Sequence, residues 1–226
     1  PLRRADNSIY ALCGISTDIT EQRQFAQEIH QLAYYDPLTH LANRRQLIER
    51  LHQLLADPAA GLQHQHALLL VNLDNFQDLN DTHGHNLGDL LLQQVAQRLS
   101  GCARSGDLVA RLGGDEFGLI MTSLNGQHGL ALRQIETAAA HLVRVVTDMP
   151  FQLGTLSHPV SVSIGIAMLN QQDNTVDAVL KHADIALAQA KAAGRGTVRF
   201  FRSDMEVVVA ARAALESARG QAIPPP

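Results

Sequence analysis

The chain reads Arg111-Leu112-Gly113-Gly114-Asp115-Glu116-Phe117 between two short apolar segments, residues 108–112 and 117–121. Two apolar runs of this length around a glycine-containing turn predict a β-hairpin. The turn combines two glycines, which adopt left-handed backbone conformations at no steric cost, with two adjacent carboxylates. The sequence therefore predicts a hairpin whose tip carries two negative charges.

Strand and helix patterns alternate on both sides of this hairpin. The apolar run 67–73 predicts a strand at the centre of a sheet, and the helical spacing of 89–99 predicts a helix after it. Beyond the hairpin, 130–146 has helical periodicity and 160–168 alternates as a strand. The order strand, helix, strand, strand, helix, strand is the βαββαβ pattern of a ferredoxin-like or palm-like sheet, so we expect an α+β fold with flanking helices.

Further elements are expected outside this unit. Asp36 and Thr39 are helix-capping residue types, and the apolar stripe that follows them predicts a helix up to residue 57. The polar segment 72–88 is expected to be rich in turns. The other predicted elements are an N-terminal strand within 8–17, a linker helix at 21–33, a helix at 175–193, a strand at 198–201 and a C-terminal helix at 205–218.

Two polar strand ends are expected to meet at one edge of the sheet, because the first and third strands are neighbours in the ferredoxin-like topology. Asn72 and Asp74, at the end of the first strand, should therefore lie beside Asp115 and Glu116 at the hairpin tip. Carboxylates from adjacent strand ends supply the hard oxygen ligands that Mg²⁺ prefers when it also binds nucleotide phosphates. This arrangement is typical of palm-like nucleotidyltransferases and nucleotidyl cyclases.

Composition argues against several classes of protein. With 226 residues, 46% of them hydrophobic, the chain can form one domain with extensions or two small ones, and wholesale disorder is not expected. The net charge of −4 argues against a non-specific nucleic-acid binder, and no apolar run approaches the ~18 residues of a membrane span. The sequence shows no signal peptide and no cysteines at metal-binding spacing, so a cytoplasmic location is expected. Because the chain does not begin with Met, it is expected to be a fragment of a longer protein. Other parts of that protein could tether it to the membrane.

Four segments of the sequence together resemble the GGDEF domain, the diguanylate cyclase family. The first is the hairpin turn quoted above. The other three follow the order of the family and extend the resemblance over roughly residues 36 to 202. They are Asp36-Pro37-Leu38-Thr39-His40-Leu41-Ala42-Asn43-Arg44, Asn80-Asp81-Thr82-His83-Gly84-His85-Asn86-Leu87-Gly88-Asp89, and Ala183-Asp184 followed by Lys191-Ala192-Ala193-Gly194-Arg195.

The resemblance implies phosphoryl chemistry on GTP. Members of the family condense two GTP into cyclic di-GMP and two pyrophosphates, and each domain holds one GTP, so catalysis needs a homodimer. In-line attack at phosphorus depends on placement and on charge neutralisation, here by Mg²⁺ or Mn²⁺. The resemblance assigns Asp115 and Glu116 to catalysis, and assigns Glu116, Asn72 and the backbone of Leu73 to the metal site. A solvated hairpin tip is the alternative for the two carboxylates.

A guanine site is implied by the segment that runs from Asn80 to Asp89. The resemblance assigns Asn80 and Asp89 to guanine, since an amide can donate to O6 or N3 and a carboxylate can accept from N1–H and N2–H₂. The alternative is that Asn80 is a turn residue and that Asp89 is the N-cap of the next helix. Asp89 could serve both roles.

Phosphate contacts are implied at two places. Lys191 and Arg195, four residues apart on one predicted helical face, resemble the triphosphate contacts of the family. Ordinary cations at a helix C terminus are the alternative. The backbone groups of Asn75 and Phe76 are further implied phosphate contacts. The loop histidines His83 and His85 are interpreted as structural, because two histidines at this spacing are a weak metal signal.

Two positions depart from the family's pattern. The family's first strand ends in Asp-x-Asp and then, after two residues, Lys, whereas this chain has Asn72, Asp74 and Gln77. A neutral amide beside a divalent cation removes a full negative charge, worth roughly 2–4 kcal/mol of transition-state stabilisation. Asp74 is a candidate substitute ligand, because residues i and i+2 of a strand point to the same side. The sequence therefore favours a domain that binds GTP with weak or no cyclase activity.

A second nucleotide site is implied just before the hairpin. Arg104 and Asp107, with five residues between Asp107 and Gly113, resemble the family's inhibitory site for cyclic di-GMP. Arg can contact the Hoogsteen edge of guanine, and Asp can accept from its N–H groups. A plain turn that leads into the strand at residue 108 is the alternative.

Three segments are predicted along the chain: the end of a PAS-like domain with a linker helix at 1–33, the GGDEF domain at 34–202, and a linker towards an EAL phosphodiesterase domain at 203–226. We therefore expect a domain that binds GTP and cyclic di-GMP and regulates an attached phosphodiesterase. Its expected partners are covalently attached PAS and EAL domains, with no nucleic acid. An active diguanylate cyclase is the alternative.

Overall fold

The computed structural model describes residues 2–3, 5–11, 18, 20–57, 64–169 and 175–202. The chain divides into two compact units, Pro1–Ala33 and Tyr34–Pro226. The predicted C-terminal helix at 205–218 lies outside the described residues. None of the helices that the structure describes is both long and apolar enough to cross a membrane.

The first unit contains a short strand pair and most of one helix. Strands β1 (Leu2–Arg3) and β2 (Ile9–Ala11) pair antiparallel, and helix α1 (Thr20–Tyr34) follows. The predicted strand within 8–17 is seen over β2, and 12–17 lie outside the described residues. Three apolar side chains of α1 are exposed, namely Phe25, Ile29 and Leu32. That this unit is the end of a PAS-like domain stays a prediction.

The second unit is built around a sheet to which six of the described strands belong, in the order β10-β9-β4-β6-β5-β3. Strands β7 and β8 form a separate hairpin. The run β4, α4, β5, β6, α5, β9 reproduces the predicted βαββαβ unit, so the expected fold class is confirmed. The elements after α1 are β3 (Ala42–Asn43), α2 (Arg44–Ala56), β4 (His64–Leu73), α3 (Phe76–His83), α4 (His85–Ser100), β5 (Leu108–Gly113), β6 (Glu116–Asn125), α5 (His128–Thr147), β7 (Phe151–Leu153), β8 (Leu156–His158), β9 (Val162–Leu169), α6 (Val176–Ala192) and β10 (Val198–Phe200).

Strand β4 lies at the centre of the sheet, antiparallel to β6 on one side and to β9 on the other. Its side chains alternate between two buried clusters. Leu68 and Leu70 pack with residues of α2 and α6, whereas Leu69 and Val71 pack with residues of α4 and α5. Burial on both faces explains why this segment is a continuous apolar run.

Helix α6 packs directly on β9 at Gly165. A Cβ atom at Gly165 would lie 2.3 Å from the backbone oxygen of Ala183 and 2.3 Å from the backbone nitrogen of Leu187. Backbone atoms of a helix cannot move aside as the end of a side chain can, so only glycine fits here. The close contact fixes α6, and with it the Lys191 end of the helix, against the sheet.

A helix, α3, occupies a segment for which the sequence predicts turns. It follows Asn75, whose φ of 58° is left-handed, and Leu79 is the buried residue of its eight. A helix with so few buried side chains shows no clear 3.6-residue period, which explains why its pattern is hidden. The β7–β8 hairpin is also absent from the predictions, because each of its strands has only three residues.

Helix α2 begins at Arg44 and not near Asp36. Asn43 is its N-cap, and the Asn43 side-chain oxygen accepts a hydrogen bond of 3.1 Å from the Gln46 N–H. Asp36 instead accepts hydrogen bonds from the Thr39 N–H and the Thr39 hydroxyl, at 2.9 and 2.6 Å. The prediction that Asp36 and Thr39 cap this helix is therefore wrong, because the carboxylate of Asp36 closes a turn that precedes β3.

Candidate functional site

Asn72 and Glu116 are cross-strand partners at one edge of the sheet. Asn72, the penultimate residue of β4, lies opposite Glu116 on β6 and opposite Ser163 on β9. Directly opposed residues of antiparallel strands share a face, with Cβ atoms about 4.5–5.5 Å apart. Glu116 is exposed, while Asn72 and Ser163 are buried. The expected meeting of two polar strand ends is confirmed, and it places one carboxylate opposite a neutral amide.

The hairpin tip is held by Arg111. Its guanidinium donates from Nε and Nη2 to the carbonyl oxygen of Gly114, at 3.2 and 2.9 Å. Gly113 and Gly114 both have left-handed φ angles, 138° and 54°, as the turn predicted. The carbonyl oxygen of Asp115 accepts a hydrogen bond from the Leu73 N–H at 3.2 Å. These contacts fix the half-buried Asp115 and the exposed Glu116 relative to the end of β4.

Arg111 also forms an ion pair with Asp36, at 3.1 Å between Nη1 and Oδ1. Burial alone would raise the pKa of the Asp36 carboxyl, but hydrogen bonds from Thr39 and then the charge of Arg111 bring that pKa below its usual value. The ion pair between these two residues was not predicted from the sequence. A signal was present, because Arg111 opens the hairpin segment and Asp36 opens another of the four segments that resemble the family.

The carboxylate of Asp74 is enclosed by three donors. It accepts hydrogen bonds from the Ser161 hydroxyl at 2.8 Å, from the Ser163 hydroxyl at 2.7 Å and from the Gly196 N–H at 2.9 Å. Asp74 is buried, at 9% exposure. Its suggested role as a substitute metal ligand stays a prediction, and the three donors argue against it, because they take three of the roughly four acceptor positions of the carboxylate.

The Asn80 carboxamide lies against helix α4. Its side-chain oxygen is buried and has no hydrogen-bond partner among the described residues. A Cβ atom at Gly88 would lie 2.0 Å from that oxygen, so the missing side chain of Gly88 makes room for Asn80. Asn80 is inside α3, which corrects the alternative that it is a turn residue.

Asp89 lies inside α4, which begins at His85 with Gly84 at the N-cap position. The alternative that Asp89 caps this helix is therefore wrong, because the helix starts four residues earlier than the apolar pattern indicates. The Asp89 side chain is exposed. Its role as a guanine contact stays a prediction.

The N terminus of α3 is open to solvent or a ligand. Its N-cap residue, Asn75, makes no capping hydrogen bond with its side chain, and Phe76 is the first helical residue. Unpaired N–H groups at a helix N terminus attract anions. Gln77, at the position of the family's lysine, is exposed and adds no charge.

The two predicted phosphate cations differ in their backbone setting. Lys191 is in the last turn of α6, whereas Arg195 lies beyond the helix end. The expectation that both lie on one helical face is therefore wrong, because the backbone turns left-handed at Gly194. Partial burial raises the pKa of Asp184, and the charges of Arg44 and Lys191 oppose this shift. Lys191 and Arg44 are thus close enough to Asp184 for their charges to favour its ionised form.

Arg104 and Asp107 form an ordered turn. The Asp107 carboxylate accepts hydrogen bonds from the Arg104 N–H at 3.0 Å and from the Thr122 N–H at 2.9 Å. The Arg104 side chain is exposed. The turn that was predicted as the alternative is present. Because it also holds an arginine and a carboxylate close together, it is compatible with the predicted cyclic di-GMP site.

The strand ends offer few oxygen ligands to a divalent cation. Among the described residues there is no group of three or more His, Cys, Asp or Glu side chains that could hold a metal ion. Mg²⁺ usually takes one or two protein carboxylates, and substrate phosphates and waters complete its octahedron. Glu116 and the amide oxygen of Asn72 fit such an ion, but they supply only one carboxylate, the smaller of these two numbers.

Residues 33–197 match the family described as diguanylate cyclase, GGDEF domain. The chain is 33% identical over 215 residues to the probable diguanylate cyclase DgcE of Escherichia coli, covering 95% of this chain and 19% of that protein. It is 38% identical over 179 residues to the bifunctional diguanylate cyclase/cyclic di-GMP phosphodiesterase MucR of Pseudomonas aeruginosa, covering 79% and 25%. It is 33% identical over 201 residues to the cyclic di-GMP phosphodiesterase PdeR of Escherichia coli, covering 88% and 28%. The chain spans less than a third of the length of each of these relatives.

Solved structures are similar over 73% and 80% of the chain. The GGDEF domain of PA1120 (YfiN or TpbB) from Pseudomonas aeruginosa is 33% identical, with a TM-score of 0.66 over 73% of this chain and 98% of that one. The coiled coil and GGDEF domain of DgcB from Caulobacter crescentus, solved in complex with c-di-GMP, is 25% identical, with a TM-score of 0.72 over 80% and 93%.

Proposed function

Because the chain belongs to the GGDEF family of diguanylate cyclase domains, we propose that it binds GTP, condenses it slowly or not at all, and regulates an attached phosphodiesterase. The observation that carries this proposal is the pairing of Asn72 with Glu116. A neutral amide stands there where the family has a carboxylate. The loss of roughly 2–4 kcal/mol corresponds to turnover that is roughly 30- to 1000-fold slower.

Guanine binding is assigned to Asn80 and Asp89. The buried Asn80 oxygen lacks a partner among the described residues, which costs about 1–3 kcal/mol unless a ligand supplies one. Guanine presents donors and an acceptor along one edge, so it can satisfy an amide and a carboxylate together. Gly88 supports this assignment, because it lets Asn80 lie against the helix that carries Asp89.

Phosphate binding is assigned to the N terminus of α3 and to the cations that follow α6. The backbone groups of Asn75 and Phe76 would donate to phosphate oxygens, and Lys191 and Arg195 would supply positive charge. A divalent cation, Mg²⁺ or Mn²⁺, would be held by Glu116, Asn72 and the backbone of Leu73, and when bound it would neutralise phosphate charge. Asp115 would lie near the attacking hydroxyl of a GTP held by a second copy of the domain.

A second candidate function is active diguanylate cyclase. The observation that favours it is that hydrogen bonds hold the hairpin tip in place. Arg111 binds the carbonyl oxygen of Gly114, and the Leu73 N–H binds the carbonyl oxygen of Asp115, so Asp115 and Glu116 stay next to β4. In that case a homodimer would bring two GTP molecules face to face, and each 3′-hydroxyl would attack the other α-phosphorus. Low residual activity and a regulatory role are also compatible with each other.

Cyclic di-GMP binding is assigned to Arg104 and Asp107. The exposed arginine beside an ordered carboxylate supports it, and the structurally similar GGDEF domain of DgcB was solved with this ligand.

We further propose that this domain lies in the cytoplasm and that the parent protein also carries PAS and EAL domains. The relatives support additional domains, because MucR and PdeR are much longer and are named as phosphodiesterases.

GTP turnover with Mg²⁺ and with Mn²⁺, measured alongside GTP affinity by calorimetry, tests the proposed function. Binding with little or no cyclic di-GMP formation supports it. Rapid formation of cyclic di-GMP would establish the second candidate function instead, and absence of GTP binding would exclude both.

A further inference from the structure

Asp74 joins three segments that are far apart in sequence. Its hydrogen-bond donors, Ser161, Ser163 and Gly196, come 87, 89 and 122 residues later in the chain. The two serines lie just before and within β9, and Gly196 lies in the connection from α6 to β10. Three hydrogen bonds offset the cost of burying the Asp74 carboxylate, so we expect these contacts to hold the three segments together.

The segment that Asp74 holds has an unusual backbone. Gly194, Arg195 and Gly196 have φ angles of 114°, 64° and 59°, all in the left-handed region. A left-handed conformation is unfavourable for arginine and persists only where the surroundings fix it. The hydrogen bond from the Gly196 N–H to Asp74 supplies such a fixed point one residue after Arg195. The Arg195 side chain itself is exposed.

We propose that Asp74 is a positioning residue, which holds the Gly194–Arg195–Gly196 segment so that Arg195 is directed at the nucleotide phosphates. The proposal rests on the proposed function, in which Arg195 contacts GTP. It gives the second acidic residue of the Asn72-Leu73-Asp74 segment a task other than metal binding. The three donors also offset a negative charge that would otherwise repel the phosphates.

A double-mutant cycle with Asp74→Asn and Arg195→Ala tests this assignment. Asparagine keeps the shape of the side chain but offers one acceptor oxygen and an NH₂ group, which cannot accept from three donors. We expect each single variant to weaken GTP affinity about tenfold and the double variant to bind no more weakly than either single one. Losses that multiply to about a hundredfold would overturn the proposal, because Asp74 would then act independently of Arg195.

Asp148→Asn is the matched control, since it removes the same charge from an exposed residue at the end of α5, outside the assigned GTP contacts. Equal weakening of GTP affinity by Asp148→Asn would show that the loss of one negative charge anywhere explains the effect, and would overturn the proposal. Hydrogen exchange of the wild-type protein gives an independent measurement if Asp74→Asn fails to fold. A strongly protected Gly196 amide supports the anchor, and an unprotected one overturns it. Wild-type protein that binds no GTP but protects Gly196 would remove the proposed function and leave the anchoring by Asp74 supported.

Discussion

The guanidinium of Arg111 contacts both carboxylate oxygens of Asp36, at 3.1 and 3.2 Å, across 75 residues of sequence. The same guanidinium holds the carbonyl oxygen of Gly114 in the hairpin turn. Asp36 follows the end of helix α1 by two residues. The entry to the second unit is therefore tied to the turn that carries Asp115 and Glu116.

The Asp36–Arg111 pair predicts a pH-dependent stability. The folded-state pKa of Asp36 is lowered, so its contribution is present above the unfolded pKa of about 3.9 and is lost as pH falls through the folded value. We expect Asp36→Asn to lower the free energy of unfolding by about 1–3 kcal/mol at pH 7, and by less at pH 3, which lies below the unfolded pKa. Denaturation at both pH values measures this. Asp148→Asn, in an exposed pair, is the control, and an equal loss at both pH values would contradict the assignment.

Gly88→Ala should separate stability from GTP binding. The new methyl group would displace the end of the Asn80 side chain, which can move, while alanine favours a helix interior by about 1 kcal/mol over glycine. We expect an unchanged or higher melting temperature together with about tenfold weaker GTP binding, as for Asp89→Ala. Gly129→Ala is the control, since nothing lies within 4 Å of its added methyl group. Unchanged GTP affinity in both Gly88→Ala and Asp89→Ala would remove the guanine assignment.

Asn72→Asp should restore part of the missing charge. We expect turnover to increase about tenfold or more and GTP affinity to change less, because the metal acts mainly on the developing transition-state charge. Asn72 is only 5% exposed, so the new carboxylate should lower the melting temperature without metal and recover it with Mn²⁺. Adding Gln77→Lys should raise the rate again. A wild type that is already fast and insensitive to Asn72→Asp would exclude the regulatory proposal.

Arg104→Ala should abolish or strongly weaken cyclic di-GMP binding without unfolding the domain. Arg104 is exposed and its backbone N–H, which a substitution keeps, makes the bond to Asp107. Asp107→Ala is a less informative variant, because it would also release the Thr122 N–H on β6. Titration by calorimetry should show at least about tenfold weaker binding than in the exposed control Arg133→Ala. Identical affinities would mean that the segment is only a turn.

Arg98 is predicted to stabilise the end of helix α5. Its guanidinium donates to the carbonyl oxygens of Val145, Val146, Met149 and Pro150, and lies 3.7 Å from the ring centre of Phe151. Lysine lacks the planar fork that makes these bonds. We expect Arg98→Lys to cost about 2–3 kcal/mol in denaturant unfolding, and the exposed Arg144→Lys less than about 0.5 kcal/mol. A small loss for Arg98→Lys would show that water replaces the lost donors.

Most of the sheet was predictable because its central strands are apolar runs that are buried on both faces. Strand β3 was not predicted, because it has only two residues and directly precedes the helical pattern of α2. Residues 67–73 form part of the central β4, and the Gly113-Gly114 turn joins β5 to β6 as expected. Helix α3 was not predictable in this way, because most of its residues are exposed and Leu79 is the buried one. The start of α2 was misplaced for a different reason, since Asp36 has the residue type of a helix cap and closes a turn.

Within the candidate site, the meeting of Asn72 with Glu116 followed from topology alone. The contacts of Asp74 did not, because its donors are a backbone N–H and two serines, and serines are too common in sequences to carry a signal. The left-handed Arg195 was hidden as well, since arginine is not a residue type that indicates a positive φ. Long-range hydrogen bonds to ordinary residues are therefore the part that a single sequence does not reveal.

The contact of α6 with Gly165 has a consequence for how this domain tolerates genetic change. Every single-base change that replaces this glycine either introduces a stop codon or encodes an amino acid with a Cβ atom, and at position 165 that atom would lie 2.3 Å from helix backbone. Only synonymous changes at the third base of the codon keep the glycine. We expect deep mutational scanning to show no tolerated substitution at Gly165, whereas Gly129, with open space around it, should accept several.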